Sequence, residues 1–242
     1  MTAAGASSEA SGARVSRAGA VPAEGRSALA LETLRLAPGG SAAVGDGDAD
    51  TLLFVFAGDG LLAFGGGREL VAGTAALLCA GERGALTAGE RGLEAVRVTV
   101  GPDVDVHAPL GARETVVAIE RADVGSATGK RSFQVLFGPH NGSTRATLFA
   151  GYVPPGAAPW HYHLYDEIVW IRRGEGRLHL RGGVEAFGPG SAFRLSPREA
   201  HVVENTGQEE LAVLGAFTPA GSPSAAYLAE PADAAAYLLD AS

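Results

Sequence analysis

The chain has 242 residues, of which 46% are hydrophobic and 19% are charged, and its formal net charge is -8. This apolar content excludes a highly charged disordered protein, and the length suffices for one large domain or two small ones. Because the balance is acidic and no basic cluster occurs, a nucleic-acid partner is not expected. No apolar run approaches the ~18 residues that a membrane-spanning helix needs.

The single cysteine, Cys79, excludes a disulfide within one chain and suits a reducing compartment. The first residues, MTAAGASSEASGARVSRAGAVPAEGRS, lack the apolar core of a signal peptide. We therefore expect a cytoplasmic protein without membrane association.

The sequence patterns, taken in order along the chain, predict an all-β protein. Residues 1–27 are rich in Ala, Gly, Ser and Arg without periodicity, which predicts a disordered tail. Short apolar runs then follow, each ended by Gly, Asp or Pro, first across 28–112 and again across 113–225. Strands of this density are typical of a sandwich or barrel. The Ala- and Leu-rich residues 226–242 predict a short C-terminal helix, because Pro231 can begin one.

The two series of strands repeat each other. TLLFVFAGDGLLAFGGGRELVAGTAALL aligns with EIVWIRRGEGRLHLRGGVEAFGPGSAFRL, and Gly58-Asp59-Gly60 falls on Gly174-Glu175-Gly176. After a one-residue gap, Gly73 falls on Gly190. Gly-rich β sequences can align by chance, but here turn positions and strand lengths agree together. The pattern therefore favours two copies of one β unit.

The stretch HYHLYDE concentrates side chains that bind metals. His161, His163 and Glu167 would share one face of a continuous strand, since side chains alternate along it. Imidazole and carboxylate groups are ordinary ligands of divalent transition metals. His201, in SPREAHVVEN, is a fourth candidate that a barrel could return to the same interior. An exposed polar strand face is the alternative.

Two motifs resemble those of the cupin superfamily. PPGAAPWHYHLYDEIVWIRRGEG resembles its first motif, which runs from Gly through HxH and Glu to a closing Gly, here Gly174. GPGSAFRLSPREAHVVEN resembles its second motif, in which His201 and Asn205 keep the final spacing. Glu199 stands where a Gly is common, so the turn before His201 is altered.

The resemblance implies two tandem cupin barrels with the metal site in the second one. The implied barrels occupy 28–112 and 113–225. It assigns the ligands of one divalent metal, Fe, Mn or Ni with Zn also compatible, to His161, His163, Glu167 and His201. The aligned positions of the first barrel cannot bind a metal well and are Gly45, Gly47, Thr51 and Gly84. The nearby residues Asp46, Asp48 and Asp50 could form a Ca²⁺ loop, but a solvated turn is favoured.

Further residues are candidates for contact with a substrate. Arg145 and Arg194 could each clamp a carboxylate, with exposure at the surface as the alternative. Tyr165 could act as a general acid, so Tyr165 and Arg145 are the predicted catalytic residues. Arg194, His179 and Trp160 are the predicted substrate-binding residues, although each could equally be a packing or surface residue.

Three functions remain open from the sequence. The favoured one is a metal-dependent enzyme that acts on a small oxygenated molecule, with a dioxygenase ahead of other reactions. The second is a non-redox enzyme such as a sugar isomerase, a decarboxylase or an aminohydrolase. The third is a barrel that binds a small ligand without turnover, because the fold alone does not fix the chemistry. The partner is a small-molecule substrate in each case, and the resemblance also favours a homodimer.

Overall fold

The computed structural model describes residues 14–45, 47–127 and 130–229 and consists almost entirely of antiparallel strands. The first eight strands are β1 (Val21–Glu24), β2 (Leu29–Leu36), β3 (Ser41–Val44), β4 (Asp50–Ala63), β5 (Arg68–Val71), β6 (Thr74–Leu78), β7 (Gly84–Val100) and β8 (Val116–Ala118). The next six are β9 (Val124–Ala127), β10 (Arg131–Phe137), β11 (Thr147–Val153), β12 (Gly156–Ala157), β13 (His161–His163) and β14 (Asp166–Arg173). The last six are β15 (Gly176–Leu180), β16 (Gly183–Phe187), β17 (Ala192–Leu195), β18 (His201–Asn205), β19 (Leu211–Thr218) and β20 (Ala226–Leu228). Two short 3₁₀ helices occupy Ile119–Arg121 and Pro139–Asn141.

The N-terminal half is one eight-stranded sheet in the order β1-β2-β7-β4-β6-β8, with β3 also on β7 and β5 also on β4. The long strands β4 and β7 change partners along their length. β4 pairs with β6 near its start and with β5 near its end, and β7 pairs first with β3 and then with β2. Two strands shared in this way close the sheet around an apolar interior.

The C-terminal half forms two six-stranded sheets, one of which contains β14 and the other β18. One sheet has the order β17-β14-β19-β11-β10-β9, and the other β16-β15-β18-β13-β20 with β12 also on β18. β14 continues into β15, and β18 continues into β19, so each pair crosses from one sheet to the other. The result is a two-layered barrel whose interior the two sheets share.

The central strands of the two halves pair in the same way, which agrees with the repeat. The pairing of β4 with β6 corresponds to that of β14 with β17, and the pairing of β2 with β7 to that of β11 with β19. Thr51 pairs with Leu78 as Glu167 pairs with Leu195, in agreement with the sequence alignment. The one difference is that Val44, not Gly45, occupies the position of His161, because Val44 pairs with Gly84 as His161 pairs with His201.

The interior of the N-terminal barrel is filled by aliphatic side chains. This core is formed by Val44, Leu53, Val55, Leu62, Leu70, Ala76, Leu78, Leu86, Ala88, Leu93 and Ala95. A second apolar core joins the two halves, where the rings of Phe56 and Trp170 lie 4.8 Å apart and the Arg172 guanidinium lies 5.0 Å above the ring of Phe54. The halves therefore pack as one body and not as two domains on a linker.

The start of the described chain differs from the expected disordered tail over 1–27. From residue 14 the chain is ordered against the C-terminal barrel, where Val15 is buried in the core and Ser16 forms a β-bridge with Ala192. The residues before 14 lie outside the described part. Tertiary contacts, which composition does not report, order this segment.

The end of the chain and the boundary between the halves also differ from expectation. The C-terminal helix was expected over 226–242, but Ala226–Leu228 is the strand β20, which pairs with β13. The rest of the expected helix lies outside the described residues. The boundary expected at 112 falls later, because β8 at Val116–Ala118 still pairs with β6 of the N-terminal sheet. In the described ranges, no helix is long and apolar enough to cross a membrane.

Candidate metal centre

Three neighbouring strands bring the four expected ligands together inside the C-terminal barrel. β13 carries His161 and His163, β14 begins one residue before Glu167, and β18 begins at His201. His161 pairs directly with His201 across the two strands. All four side chains are buried, although burial of polar groups is unfavourable unless they are paired or bind a ligand.

The four side chains lie in direct contact with one another. The imidazole centroids of His161 and His201 are 4.5 Å apart, and those of His163 and His201 are 5.0 Å apart. The His163 Nε2 atom lies 3.0 Å from a carboxylate oxygen of Glu167. Three imidazoles and one carboxylate therefore lie together in one part of the interior.

Backbone carbonyls fix the orientation of all three imidazole rings. The Nδ1 atoms of His161, His163 and His201 lie 2.9, 2.8 and 2.8 Å from the carbonyl oxygens of Pro159, Tyr165 and Glu199, respectively. Each Nδ1–H thus donates to a carbonyl, which leaves the lone pair of each Nε2 free to act as an acceptor. Metal-binding histidines are oriented by the same arrangement.

The buried imidazoles of His161 and His201 are neutral at physiological pH. Burial, with the neighbouring Arg131 as the second cause, lowers the pKa of His161 to about 3. Burial also holds the pKa of His201 well below its usual range, with His161 and His163 as further causes. Neutral imidazole is the form that binds a metal.

The donor set fits a divalent transition metal. The buried Nε2 of His163 has no hydrogen-bond partner among the described residues, which leaves its lone pair available for a ligand bond. Across the described ranges no group of three or more His, Cys, Asp or Glu residues has the spacing of a preformed metal site. Binding of an ion would replace the contact between His163 and Glu167 with two bonds to the metal. Three neutral imidazoles and one carboxylate would leave a net charge near +1 on a divalent centre.

A cavity of about 90 Å³ adjoins the four ligands and contains one guanidinium group. Arg131, the first residue of β10, places its Nη1 atom 3.3 Å from His161 Nε2. Phe133, two residues further along β10, lines the same cavity. The sequence reading missed Arg131, although the alternation of side chains along RSFQVLF would have put it on the same face as Phe133.

Tyr165 is the one residue among the expected catalytic and substrate-binding side chains that lines this cavity. Its ring stacks on His163 at 4.1 Å and on Phe217 at 4.0 Å, and its hydroxyl donates to the Pro223 carbonyl oxygen at 3.4 Å. Burial raises the pKa of Tyr165, and the nearby Glu167 raises it further, so the phenol keeps its proton. The Tyr165 ring therefore lies between the imidazole of His163 and the ring of Phe217.

Arg145, the first of the two expected arginine clamps, lies outside the cavity. It donates to Asp50 of the N-terminal half at 3.0 Å, so it joins the two halves and does not face a substrate. The same contact occupies one of the three acids considered for a Ca²⁺ loop, and another of them, Asp46, lies outside the described residues.

Arg194, the second expected clamp, also lies outside the cavity. It donates to Asp166 and to the carbonyl oxygens of Pro22 and Leu29. Asp50, which holds Arg145, and Pro22 and Leu29, which hold Arg194, come from distant parts of the chain.

His179 and Trp160 also lie away from the cavity. His201 and Val203 of β18 line the cavity, so Val202 and Glu204 point to the opposite face of the sheet. His179 pairs with Val202 and bonds to Glu204 at 2.7 Å, which puts it on that outer face. Trp160 is half-buried beside the edge strand β20, where its carbonyl oxygen accepts the N–H of Ala229.

Comparison with known proteins identifies the fold. Residues 150–217 match the family model described as Cupin domain. Oxalate decarboxylase from Bacillus subtilis, in a structure concerned with its Mn(II) centres, has a TM-score of 0.65 and 16% identity over 83% of this chain and 71% of that chain. The formate complex of oxalate decarboxylase from Lactobacillus farciminis has a TM-score of 0.66 and 14% identity over 83% of this chain and 79% of that chain. AerE from Microcystis aeruginosa has a TM-score of 0.65 and 11% identity over 78% of this chain and 87% of that chain.

No curated protein sequence matches the chain. The matched family and the paired barrels agree with the motifs found in the sequence. Residues 150–217 thus form a cupin domain, and the fold of the chain as a whole resembles that of the similar oxalate decarboxylase structures.

Proposed function

We propose that the protein is a metal-dependent cupin enzyme that acts on a small carboxylate. The observation that carries the proposal is the cavity of about 90 Å³ in which three oriented imidazoles, one carboxylate and the guanidinium of Arg131 meet. A divalent ion held by His161, His163, Glu167 and His201 would supply a Lewis-acid centre with positions left for oxygen ligands. Structurally similar oxalate decarboxylases support Mn as one of the candidate metals, beside Fe and Ni, with Zn also compatible.

Arg131 supports a carboxylate as the group that is recognised. A guanidinium is permanently charged and offers paired N–H donors that match the two oxygens of a carboxylate. Its position beside His161 means that a carboxylate bound to the arginine would lie next to the ligand cluster. The small volume favours a substrate of only a few carbon atoms, because apolar walls such as Phe133, Phe149 and Val213 close the remaining space.

Dioxygenation is our first candidate reaction. Among the described residues that line the cavity, the ionisable groups other than the four ligands are Arg131, Tyr152 and Tyr165. Tyr165 keeps its proton and donates to a backbone carbonyl, and the Tyr152 hydroxyl donates to Gln134, so neither tyrosine is placed to act as a general base. A reaction in which O₂ attacks a metal-activated substrate needs less protein acid–base chemistry than isomerisation or amide hydrolysis does.

Decarboxylation is the second candidate, and the structural neighbours favour it. Two of the similar structures are oxalate decarboxylases, and one of them is a complex with formate, which fits a small cavity. With identities of 14–16%, this similarity supports the scaffold and not the reaction.

The test distinguishes the two reactions by the uptake of O₂ and the release of CO₂. The metal-loaded protein would be incubated with a panel of two- to five-carbon carboxylates while dissolved O₂ and released CO₂ are followed. O₂ uptake in step with substrate loss would support dioxygenation, and CO₂ release without net O₂ uptake would support decarboxylation. The His163→Ala variant is the control for metal dependence. Tight binding of a carboxylate without turnover of any panel member would contradict both and leave a ligand-binding barrel.

A further inference from the structure

The N-terminal strap, residues 14–22, crosses from the N-terminal half onto the outside of the metal-binding barrel. Val15 is buried in the apolar core of that barrel. Ser16 and Ala192 exchange two backbone hydrogen bonds of 2.8 and 2.9 Å, which extends the sheet beyond its edge strand β17. Glu185 accepts from the backbone N–H groups of both Arg14 and Val15 at 2.9 Å. Apolar burial, backbone pairing and the Glu185 carboxylate thus fix the strap independently of the Arg14 side chain.

Arg14 reaches from the strap to the turn that precedes His201. Its two terminal nitrogens donate to the two carboxylate oxygens of Glu199 at 2.9 and 2.8 Å, which is a bidentate pair. Exposed ion pairs usually contribute little, because ordering two long side chains offsets the attraction. Here the backbone of Arg14 is already held by the strap, so less freedom is lost when the pair forms.

Glu199 belongs to the structure that orients one of the proposed ligands. Its carbonyl oxygen accepts the Nδ1–H of His201 at 2.8 Å, and its carboxylate accepts the N–H of Ser196 at 3.2 Å. In the same turn, Arg198 has a φ of 64°, which is strained for a non-glycine residue, and its N–H donates to the carbonyl of His163 at 2.7 Å. The turn therefore contacts two of the four ligands and needs external support to keep its shape.

We propose that Arg14 is a positioning residue for the metal centre and acts through Glu199 on His201. This inference rests on the proposed metal-dependent function. Glu199 stands where the cupin motif commonly has Gly, and the ion pair gives this departure a role: the altered turn is anchored from outside by the strap. Groups that orient metal ligands typically change metal affinity about 10- to 100-fold, and Arg14 lies one contact further out. We therefore expect loss of its side chain to weaken metal binding by about 3- to 10-fold.

The experiment measures Co²⁺ affinity of the metal-free full-length protein by competition with a chelator, together with the visible spectrum of bound Co²⁺. Arg14→Ala and Glu199→Gln should each weaken binding to a similar extent and alter the spectrum. The double variant should be no weaker than either single variant, because both remove the same interaction. Arg14→Lys should restore part of the affinity, since it keeps the charge but loses the paired donors.

Arg17→Ala is the matched control, because Arg17 is an exposed arginine of the same strap. The Co²⁺ affinity of the Arg17→Ala variant should equal that of the unaltered protein. A lower melting temperature of the Arg14→Ala variant with unchanged Co²⁺ affinity and spectrum would make Arg14 merely structural and overturn the inference. Additive losses in the double variant would also overturn it. If the unaltered protein binds no Co²⁺, the proposed function fails and this inference fails with it.

Discussion

At the scale of the residue, Arg131 is the group that we expect to select the substrate. It lies 3.3 Å from His161 Nε2 and lines the small cavity. Arg131→Ala should raise KM for the carboxylate about 10- to 100-fold, which corresponds to losing a charged hydrogen bond of ~1.5–3 kcal/mol. Steady-state kinetics with a parallel metal assay would measure the effect. Arg177→Ala, which alters an exposed arginine of the outer face, should leave KM unchanged. An unchanged KM in Arg131→Ala would contradict the recognition of a substrate carboxylate by Arg131.

The buried histidines should make the metal-free protein sensitive to mild acid. His161 has a pKa of about 3 in the folded chain, because burial disfavours its charged form, and near 6.5 when unfolded. Between these values the unfolded chain binds a proton that the folded chain does not, so the free energy of unfolding falls as pH falls. From pH 7.5 to 5.5 the expected loss is ~1.4 kcal/mol for this histidine. Urea unfolding at the two pH values measures it.

The matched control for the acid sensitivity is a histidine outside the core. His161→Asn should reduce the difference between the two pH values, whereas a change at the exposed His107 should not. An equal loss of stability in the His161→Asn variant would show that other groups cause the acid sensitivity.

At the scale of the element, the strands that carry a strong motif were predictable and the connections between distant segments were not. HxH and Glu on β13 and β14, and the repeat of β4 in β14 and β15, follow from spacing and turn residues in the sequence. Asp50, the partner of Arg145, and Leu29, one partner of Arg194, lie more than 90 positions away in the chain, so local sequence patterns do not predict these contacts. For the same reason the strap was expected to be disordered, since its order depends on contacts with the second barrel.

The repeated turn in the first barrel should tolerate no side chain. Gly58 has a φ of 75°, and a Cβ there would lie 2.1 Å from the backbone oxygen of Gly92. Gly58→Ala should therefore lower the free energy of unfolding by at least ~3 kcal/mol, from backbone strain and overpacking together. Gly65→Ala is the control, because Gly65 has a φ of 61° and no atom lies within 4 Å of the place that an added methyl group would take. Gly65→Ala should lower the free energy of unfolding by only ~1 kcal/mol, and equal losses in the two variants would exclude the steric explanation.

At the scale of the whole molecule, the first barrel packs against the second but has a different interior. Its interior is apolar, and Val44 and Gly84 occupy the positions that correspond to His161 and His201. The expectation that this barrel holds no metal remains a prediction. The shared core around Trp170 and the strap both connect the first half to the metal-binding half, so the first half stabilises the second.

The contact between Arg145 and Asp50 should contribute to joining the two halves. Asp50 is buried, so Arg145→Ala would leave a buried carboxylate with only the Ala80 N–H as a partner. The expected loss is ~3 kcal/mol in the free energy of unfolding, measured by denaturant titration. Arg35→Ala, which breaks an exposed pair with Glu94, should change it by less than ~0.5 kcal/mol. Equal effects of the two variants would mean that burial does not strengthen the contact.

The measurement that tests the central claim most directly is elemental analysis of protein purified without chelator, beside the His163→Ala variant. We predict about one equivalent of Fe, Mn or Ni per chain in the unaltered protein and its loss in the variant, because one set of three imidazoles and one carboxylate forms the site. Two equivalents per chain would contradict the structural role of the first barrel. Metal content that is unchanged by His163→Ala would contradict the metal centre itself.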